Sequence, residues 1–246
     1  MSDPVAPYLS MVIPAYNEAQ RLPGSLGEIA AFCRESDMSC EVIVIVEKSS
    51  DKTLELAAAV PSSQANFYVI DNHVRRGKGY AVRSGMLKAR GEFVFYMDAD
   101  LSVPLDEIKK FLDFFTQNPG VDVLAGNRKH PQSDIVKRQS WLRQKMGEVF
   151  NLILRRLIRI RVLDTQCGFK AFRARSVEPV FSSLQTDGFA FDVEVLLLAE
   201  KLGFKVRDLP VRWRNSSRSK VRMIRDSLIM IRDVFHIRRK MRRMKS

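Results

Sequence analysis

The 246-residue sequence is short of cysteine, histidine and long apolar runs. Its three cysteines, Cys33, Cys40 and Cys167, are odd in number and stand at no metal-ligand spacing, which excludes a disulfide scaffold and a zinc site. They read as small buried hydrophobes in a reducing compartment. His73, His130 and His236 are isolated, and no Cys–His pairing or G-x-S-x-G elbow offers a covalent nucleophile. No apolar stretch approaches the roughly 18–20 residues that a membrane span needs. Met1-Ser2-Asp3-Pro4 does not begin a basic-then-apolar stretch, so no secretory leader is expected. RNP, zinc-finger and helix-turn-helix patterns are missing, so nucleic acid is not an expected partner. What is present is a globular composition, 46% apolar and 28% charged, without repeats or a low-complexity linker.

The net charge of +13 is concentrated. Residues 207–246 hold 14 Lys/Arg against 3 Asp/Glu, and residues 134–161 hold 8 against 2. The remainder is slightly acidic. Both basic segments carry helical stripes: Leu142, Met146, Val149, Ile153, Leu157 and Ile160, then Val221, Ile224, Leu228, Ile231 and Phe235. Arginine-flanked amphipathic helices suit an anionic membrane surface, and they also suit solvated helices with one face in the core.

Up to residue 125, strands alternate with helices. Strands are expected at Tyr8–Ile13, Val42–Val46, Asn66–Ile70, Glu92–Met97 and Val121–Ala125. Helices are expected from Asn17 to Glu35, from Ser50 or Asp51 to Val60, over Gly79–Arg90, and from Pro104 to Gln117. That rhythm predicts an α/β fold with a mostly parallel sheet. Beyond residue 126 a long basic helix, a polar stretch at 164–168, a strand at Phe169–Arg173, a helix near Asp192–Leu202, a strand at Lys205–Trp213 and a basic helix follow. The organisation expected is one domain over 1–246: a nucleotide-binding half (8–126), an acceptor half (127–235) and a basic tail (236–246).

Ligands of open α/β sheets bind beyond the carboxyl ends of the strands. Asp98-Ala99-Asp100 leaves the fourth strand with two carboxylates one residue apart. Hard oxygen ligands favour Mg²⁺ or Mn²⁺ shared with phosphates. Pro14-Ala15-Tyr16-Asn17-Glu18 leaves the first strand with a ring to stack on a base and an acceptor for base or ribose. Arg75-Arg76-Gly77-Lys78-Gly79 opens a helix, where amides and cations suit a phosphate. Each stretch also fits a structural job: a turn, a helix start, a solvated basic loop.

Together these residues resemble glycosyltransferase family 2, of the GT-A fold. The resemblance rests on Val12–Glu18, Gly77-Lys78-Gly79 with Ala81-Val82-Arg83, and Asp98–Leu101. Asp164–Lys170, Phe189–Glu194, Val211-Arg212-Trp213 and Ser219-Lys220 are similar to the branch of dolichyl-phosphate glucosyltransferases, near the dolichol-phosphate mannose synthases. It implies inverting transfer of a hexose from a nucleotide sugar to a polyprenyl (dolichyl) phosphate. It implies nucleotide binding by Pro14, Ala15, Tyr16, Glu18, Glu47, Lys78 and Asp98, and a Mg²⁺ or Mn²⁺ ion on Asp98 and Asp100. Arg128, Arg143 and Lys220 would receive the acceptor phosphate, and Asp100, Arg128, Arg143 and Asp192 would be the catalytic set. The sequence departs from the family after the second strand, where Val46-Glu47-Lys48-Ser49 replaces Asp-Asp-Gly-Ser. Ser102 stands where relatives often have glutamine. UDP-glucose is the expected donor, with GDP-mannose the alternative.

A phosphate monoester has a second pKa of about 6, so as acceptor it is already nucleophilic at pH 7 and needs no general base. Two anionic groups must instead be held together, which calls for arginines and a metal. Asp192, Glu194 and Asp164 are expected to orient those arginines or the sugar hydroxyls. The basic helices near 141–160 and at the C-terminus are expected to dock a cytoplasmic, peripheral protein on the cytosolic face of a membrane. Transfer to a soluble hydroxyl, with Asp192 as base, is an alternative. Nucleotidyl transfer to a sugar phosphate and non-catalytic binding are the competing classes.

Overall fold

A computed structural model describes residues 6–60, 66–137, 158, 160, 162–214 and 223–244. The first strands are β1 (Leu9–Ala15), β2 (Cys40–Val46), β3 (Asn66–Asp71), β4 (Phe93–Met97) and β5 (Val123–Asn127). Every residue of β1, β2, β4 and β5 is buried, as their apolar runs require of strands covered on both faces. The intervening helices are α1 (Leu22–Glu35), α2 (Thr53–Ala58), α3 (Lys78–Met86) and α4 (Glu107–Gln117). In α4 the buried side chains Ile108, Phe111, Leu112 and Phe115 recur at helical spacing.

The second half adds β6 (Ile135–Lys137), β7 (Phe169–Arg173), α5 (Ala174–Ser182), α6 (Phe191–Lys201), β8 (Val206–Pro210), β9 (Trp213–Arg214) and α7 (Met223–Arg243). Seven strands form one sheet in the order β3-β2-β1-β4-β7-β5-β8. All its pairings are parallel except those of β7, which is antiparallel to β4 and β5. The two halves therefore share one sheet, because β7 inserts between β4 and β5. β6 and β9 make a separate small ribbon. Phe95, Phe111 and Phe169 pack with ring centroids 5.0–6.2 Å apart on one side of the sheet. Tyr96, Phe172, Phe181 and Phe191 pack on the other, with centroids 5.2–6.4 Å apart. Such pairs contribute about 0.5–1.5 kcal/mol each beyond their burial.

Several boundaries differ from the sequence reading. β1 runs through Pro14 to Ala15, with Pro14 opposite Ile45. Asn17 does not cap α1: it sits at φ 52°, and α1 starts five residues later with Arg21 at its N-cap. The Asn17 side chain instead accepts the Ser50 amide, at 2.8 Å, and so joins the exits of β1 and β2. α5 is an element that the sequence reading does not include; it holds Pro179 within it, and Val177, Val180 and Phe181 bury its apolar stripe. The strand expected over Lys205–Trp213 divides into β8 and β9.

α7 seats Met230, Val234 and Ile237 against Ala190, Val193 and Leu197 of the α6 region. Of the apolar stripe read along this helix, Ile231 packs partly inward, whereas Leu228 and Phe235 are 64% and 51% exposed. The helix expected over 141–160 lies outside the described residues, apart from Ile158 and Ile160. No helix among the described residues is long and apolar enough to cross a membrane.

Candidate donor and acceptor site

The order β2-β1-β4 reverses direction in sequence at β1, and a crevice opens at such a switch point. Tyr16, Asn17 and Glu18 leave β1 there, and Asp98 and Asp100 leave β4 beside them. Because β7 is antiparallel, residues 164–168 arrive at this same end: Phe169 pairs with Met97, and the Asp98 amide donates to the Gly168 carbonyl at 3.1 Å.

Each carboxylate of the Asp98-Ala99-Asp100 pair has a cationic partner. Lys78 Nζ lies 2.5 Å from Asp98 Oδ1. Arg21 reaches Asp100 Oδ2 at 3.3 Å, while Ser102 donates to Asp100 Oδ1 through its amide and its hydroxyl, at 3.1 and 2.7 Å. Burial works to lower the Lys78 pKa, but the charges of Asp98, Asp192 and Asp100 outweigh it and hold the ammonium above the ordinary lysine value. Among the described residues no cluster of three or more His, Cys, Asp or Glu could hold a metal alone. Two carboxylates are nevertheless a fitting donor set for Mg²⁺ or Mn²⁺, which complete their shells with water and substrate phosphates. Gly168 also leaves bare backbone against the carboxylate of Asp98.

Other expected donor-site residues gather at the β1, β2 and β3 exits. The Tyr16 ring carries the Arg75 guanidinium 4.1 Å from its centroid. The Glu18 amide donates to Thr53 Oγ1 at 2.7 Å. Glu47 is buried, and its Oε1 accepts the amides of Arg76 and Gly77 at 2.9 and 2.7 Å. The amides of Gly79 and Tyr80 donate to the Asp187 carbonyl, at 2.8 and 3.2 Å. The phosphate cradle expected from the backbone at 75–79 is thus corrected: these amides are used within the protein, and Lys78 supplies its side chain. Gly77, at φ 131°, and Gly79 abut the backbone of Asp187 and Thr186, where a Cβ would collide.

Arg128, expected to receive the acceptor phosphate, follows β5. Its Nε and Nη2 donate to the two oxygens of Asp164 at 2.7 and 2.9 Å, and its amide donates to Oδ2 at 3.0 Å. Trp213 lies 5.5 Å beneath the guanidinium. Burial alone would raise the Asp164 pKa, but Arg128 overcomes it and holds the carboxyl at about 2. Asp164 therefore orients an arginine, as expected. Asp192 and Glu194 do not; both are buried and paired with lysines. Asp192 Oδ1 accepts the Tyr96 hydroxyl at 2.6 Å and the ammonium of the fully buried Lys170. Glu194 accepts the Thr186 amide at 2.8 Å and Lys240 of α7 at 2.6 Å. Arg143 and Lys220 lie outside the described residues. Cys167 is buried and its thiol is pushed up to about 12, first by burial, so it is no nucleophile.

Three residues escaped the sequence reading. Arg21 was legible as a partner three residues beyond Glu18. Lys170 sits in an apolar strand and had no local signal for its partner 22 residues on. Asp187 pairs with Arg76 at 2.6 Å across more than a hundred residues, which no sequence spacing reports.

The profile of Glycosyl transferase family 2 matches residues 10–181. The dolichyl-phosphate beta-glucosyltransferase of Dictyostelium discoideum is 32% identical over 241 residues, covering 94% of this chain and 74% of that protein. That of Drosophila melanogaster is 34% identical, covering 93% and 74%. Glucosyl-3-phosphoglycerate synthase from Mycobacterium tuberculosis, crystallised with Mn²⁺, uridine diphosphate and glucosyl-3-phosphoglycerate, superposes with a TM-score of 0.66 at 18% identity, covering 98% of this chain and 81% of that one. This likeness is one of fold, the GT-A fold, in agreement with the sheet order and the paired carboxylates at the exit of β4. The chain belongs to glycosyl transferase family 2, in the branch that holds the dolichyl-phosphate beta-glucosyltransferases.

Proposed function

We propose that the protein transfers a hexose, with UDP-glucose as donor, to a polyprenyl (dolichyl) phosphate with inversion, at the cytosolic face of a membrane. The observation that carries this reading is the loop 164–168. At one end Asp164 grips Arg128, and at the other Gly168 abuts Asp98. One short segment thus joins an arginine suited to an acceptor phosphate to a carboxylate suited to a donor diphosphate. Arg128 brings the acceptor dianion alongside the donor and offsets its repulsion. Lys78 offers a cation to the departing diphosphate. Asp98 and Asp100 would hold Mg²⁺ or Mn²⁺, which supplies Lewis-acid stabilisation of that leaving group. Tyr16, Glu18 and the turn held by Glu47 form the nucleotide side, with Pro14 and Ala15 shaping the β1 exit. Arg143 and Lys220 complete the acceptor set. Asp192 holds Lys170 under the site and serves as no base, because the acceptor needs none.

The membrane part of the reading is supported by the outward face of α7. Leu228 and Phe235 stand exposed two turns apart, beside exposed Arg225, Arg232, Arg239 and Arg242. Apolar side chains ringed by arginines match the interface of an anionic bilayer.

The test is a transfer assay offering UDP-glucose, GDP-mannose and UDP-N-acetylglucosamine separately, each radiolabelled, with Mn²⁺ or Mg²⁺ and polyprenyl phosphate in detergent. Label enters the organic phase from UDP-glucose and is abolished by Asp100→Ala. Label from GDP-mannose alone would reassign the donor. No lipid label from any donor would sink the lipid acceptor.

A further inference from the structure

Arg21 stands between two carboxylates with different tasks. Its Nε donates to Glu18 Oε2 at 2.7 Å and its Nη2 to Glu18 Oε1 at 2.5 Å, a two-pronged grip. Its Nη1 reaches Asp100 Oδ2 by a longer contact of 3.3 Å. All three side chains are a fifth exposed or less, so solvent screens the pairs only in part. The other oxygen of Asp100 is held by Ser102. Lys78 stands in the same relation to Asp98. The carboxylates suited to a divalent ion are therefore already neutralised by two cations of the protein itself.

This arrangement has a consequence for the order of binding. A divalent ion and a guanidinium compete for the same oxygen, and the resident charge repels the entering one. The contacts of Arg21 to Glu18 and to Asp100 are unequal in length, so they yield unequally. The fork on Glu18 anchors the guanidinium, while the long contact to Asp100 is the one that gives way. Once it is released, Nη1 is left beside Asp100 as a donor that a diphosphate could take up.

We propose that Arg21 is an exchangeable counter-ion: with the donor absent it holds Asp100 and keeps the divalent ion weakly bound, and with the donor present it passes its Nη1 hydrogen bond to the diphosphate. The metal then enters with the nucleotide. The proposal rests on the reading that Asp98 and Asp100 hold a divalent ion together with a nucleotide diphosphate.

The test is Mn²⁺ binding, followed by the electron paramagnetic resonance signal of free Mn²⁺, with and without UDP. The wild type binds Mn²⁺ weakly alone and more tightly with UDP. Arg21→Gln raises affinity for Mn²⁺ alone about tenfold, because the competing charge is gone, and lowers affinity for UDP in saturating Mn²⁺ about tenfold, because a donor to the diphosphate is lost. Opposite signs in one variant are not produced by a loosened fold. Arg21→Lys keeps the charge and loses the fork, so Mn²⁺ alone stays within about twofold of wild type while UDP binding weakens. This second variant decides the matter if Arg21→Gln does not fold. A wild type that binds Mn²⁺ with UDP beside an Arg21→Gln protein with unchanged or weaker binding of Mn²⁺ alone overturns the role of Arg21 only. Absence of Mn²⁺ binding by the wild type even with UDP overturns the metal reading and this proposal with it.

Discussion

Gly168 lies against the carboxylate of Asp98 with no room for a side chain. A Cβ built on it would fall 2.6 Å from Oδ1 and still closer to Oδ2. The same glycine accepts the Asp98 amide on its carbonyl, so backbone and side chain of Asp98 are both set by one residue. Gly168→Ala must displace Asp98. The expected outcome is a fall in kcat/KM for sugar transfer of about 100-fold, as misplacement by about 1 Å produces, with a smaller change in Tm. Activity within threefold of wild type would show that Asp98 can move without consequence.

The Asp164–Arg128 pair predicts an acid-labile fold. Burial raises the Asp164 pKa, Arg128 more than reverses this, and the folded value is near 2 against an ordinary 3.8. A depressed carboxyl pKa contributes stability that is whole above pH 4 and is lost as pH falls toward 2. The contribution is on the order of 2 kcal/mol. Asp164→Asn should remove that contribution at neutral pH and flatten the decline of Tm between pH 4 and 2. It should also weaken binding of the acceptor phosphate, since Arg128 loses its orienting partner. Parallel pH–Tm curves for variant and wild type would contradict the assignment.

Glu47 predicts a contrast between two substitutions. Its Oε1 accepts two amides of the turn that presents Lys78. Glu47→Gln keeps an acceptor oxygen and should retain nucleotide affinity within a few-fold. Glu47→Ala strands both amides, and hydrogen bonds to a charged group are worth about 1.5–3 kcal/mol, so nucleotide affinity should fall by roughly ten- to a hundredfold. Isothermal titration with UDP measures both. Equal losses from the two variants would mean that the charge of Glu47, and not its acceptor geometry, matters.

The outward face of α7 predicts membrane binding that depends on both charge and apolar side chains. Replacing Leu228 and Phe235 together by serine should release the protein from vesicles of 70% phosphatidylcholine and 30% phosphatidylserine. Replacing Arg232 and Arg239 by glutamine should do so only as ionic strength rises. Flotation through a density gradient reads both. Neither change should lower Tm much, since Met230, Val234 and Ile237 form the buried face. Undiminished flotation of the double serine variant would remove α7 from the docking surface.

The centre of the parallel sheet was legible because Val42–Val46 and Phe93–Met97 are uninterrupted apolar runs, as burial on both faces requires. Asp98 and Asp100, and Tyr16 with Glu18, were legible for a local reason: each follows a strand directly, so chain position alone brings it to the carboxyl end of the sheet. The motifs at 164–170 and 189–194 pointed to the branch, though their residues do different work there. Asp164 orients Arg128, whereas Asp192 and Glu194 carry lysines.

What only the tertiary structure decided are pairings between residues far apart in sequence. β7 inserts antiparallel between β4 and β5, a choice that no periodicity encodes because a strand reads alike in both directions. That insertion delivers Gly168 to Asp98 and Asp164 to Arg128, and buries Lys170 on Asp192. The face that α7 turns outward was likewise undecided, because Leu228–Phe235 and Met230–Ile237 are both apolar stripes at helical spacing. Packing on Ala190, Val193 and Leu197 selected the second. By itself the sequence determined elements that depend on neighbours a few residues apart, together with the chemistry borne at their ends. The partners of its buried charges were set by the fold, since a charge taken out of water needs a counter-charge wherever the chain brings one.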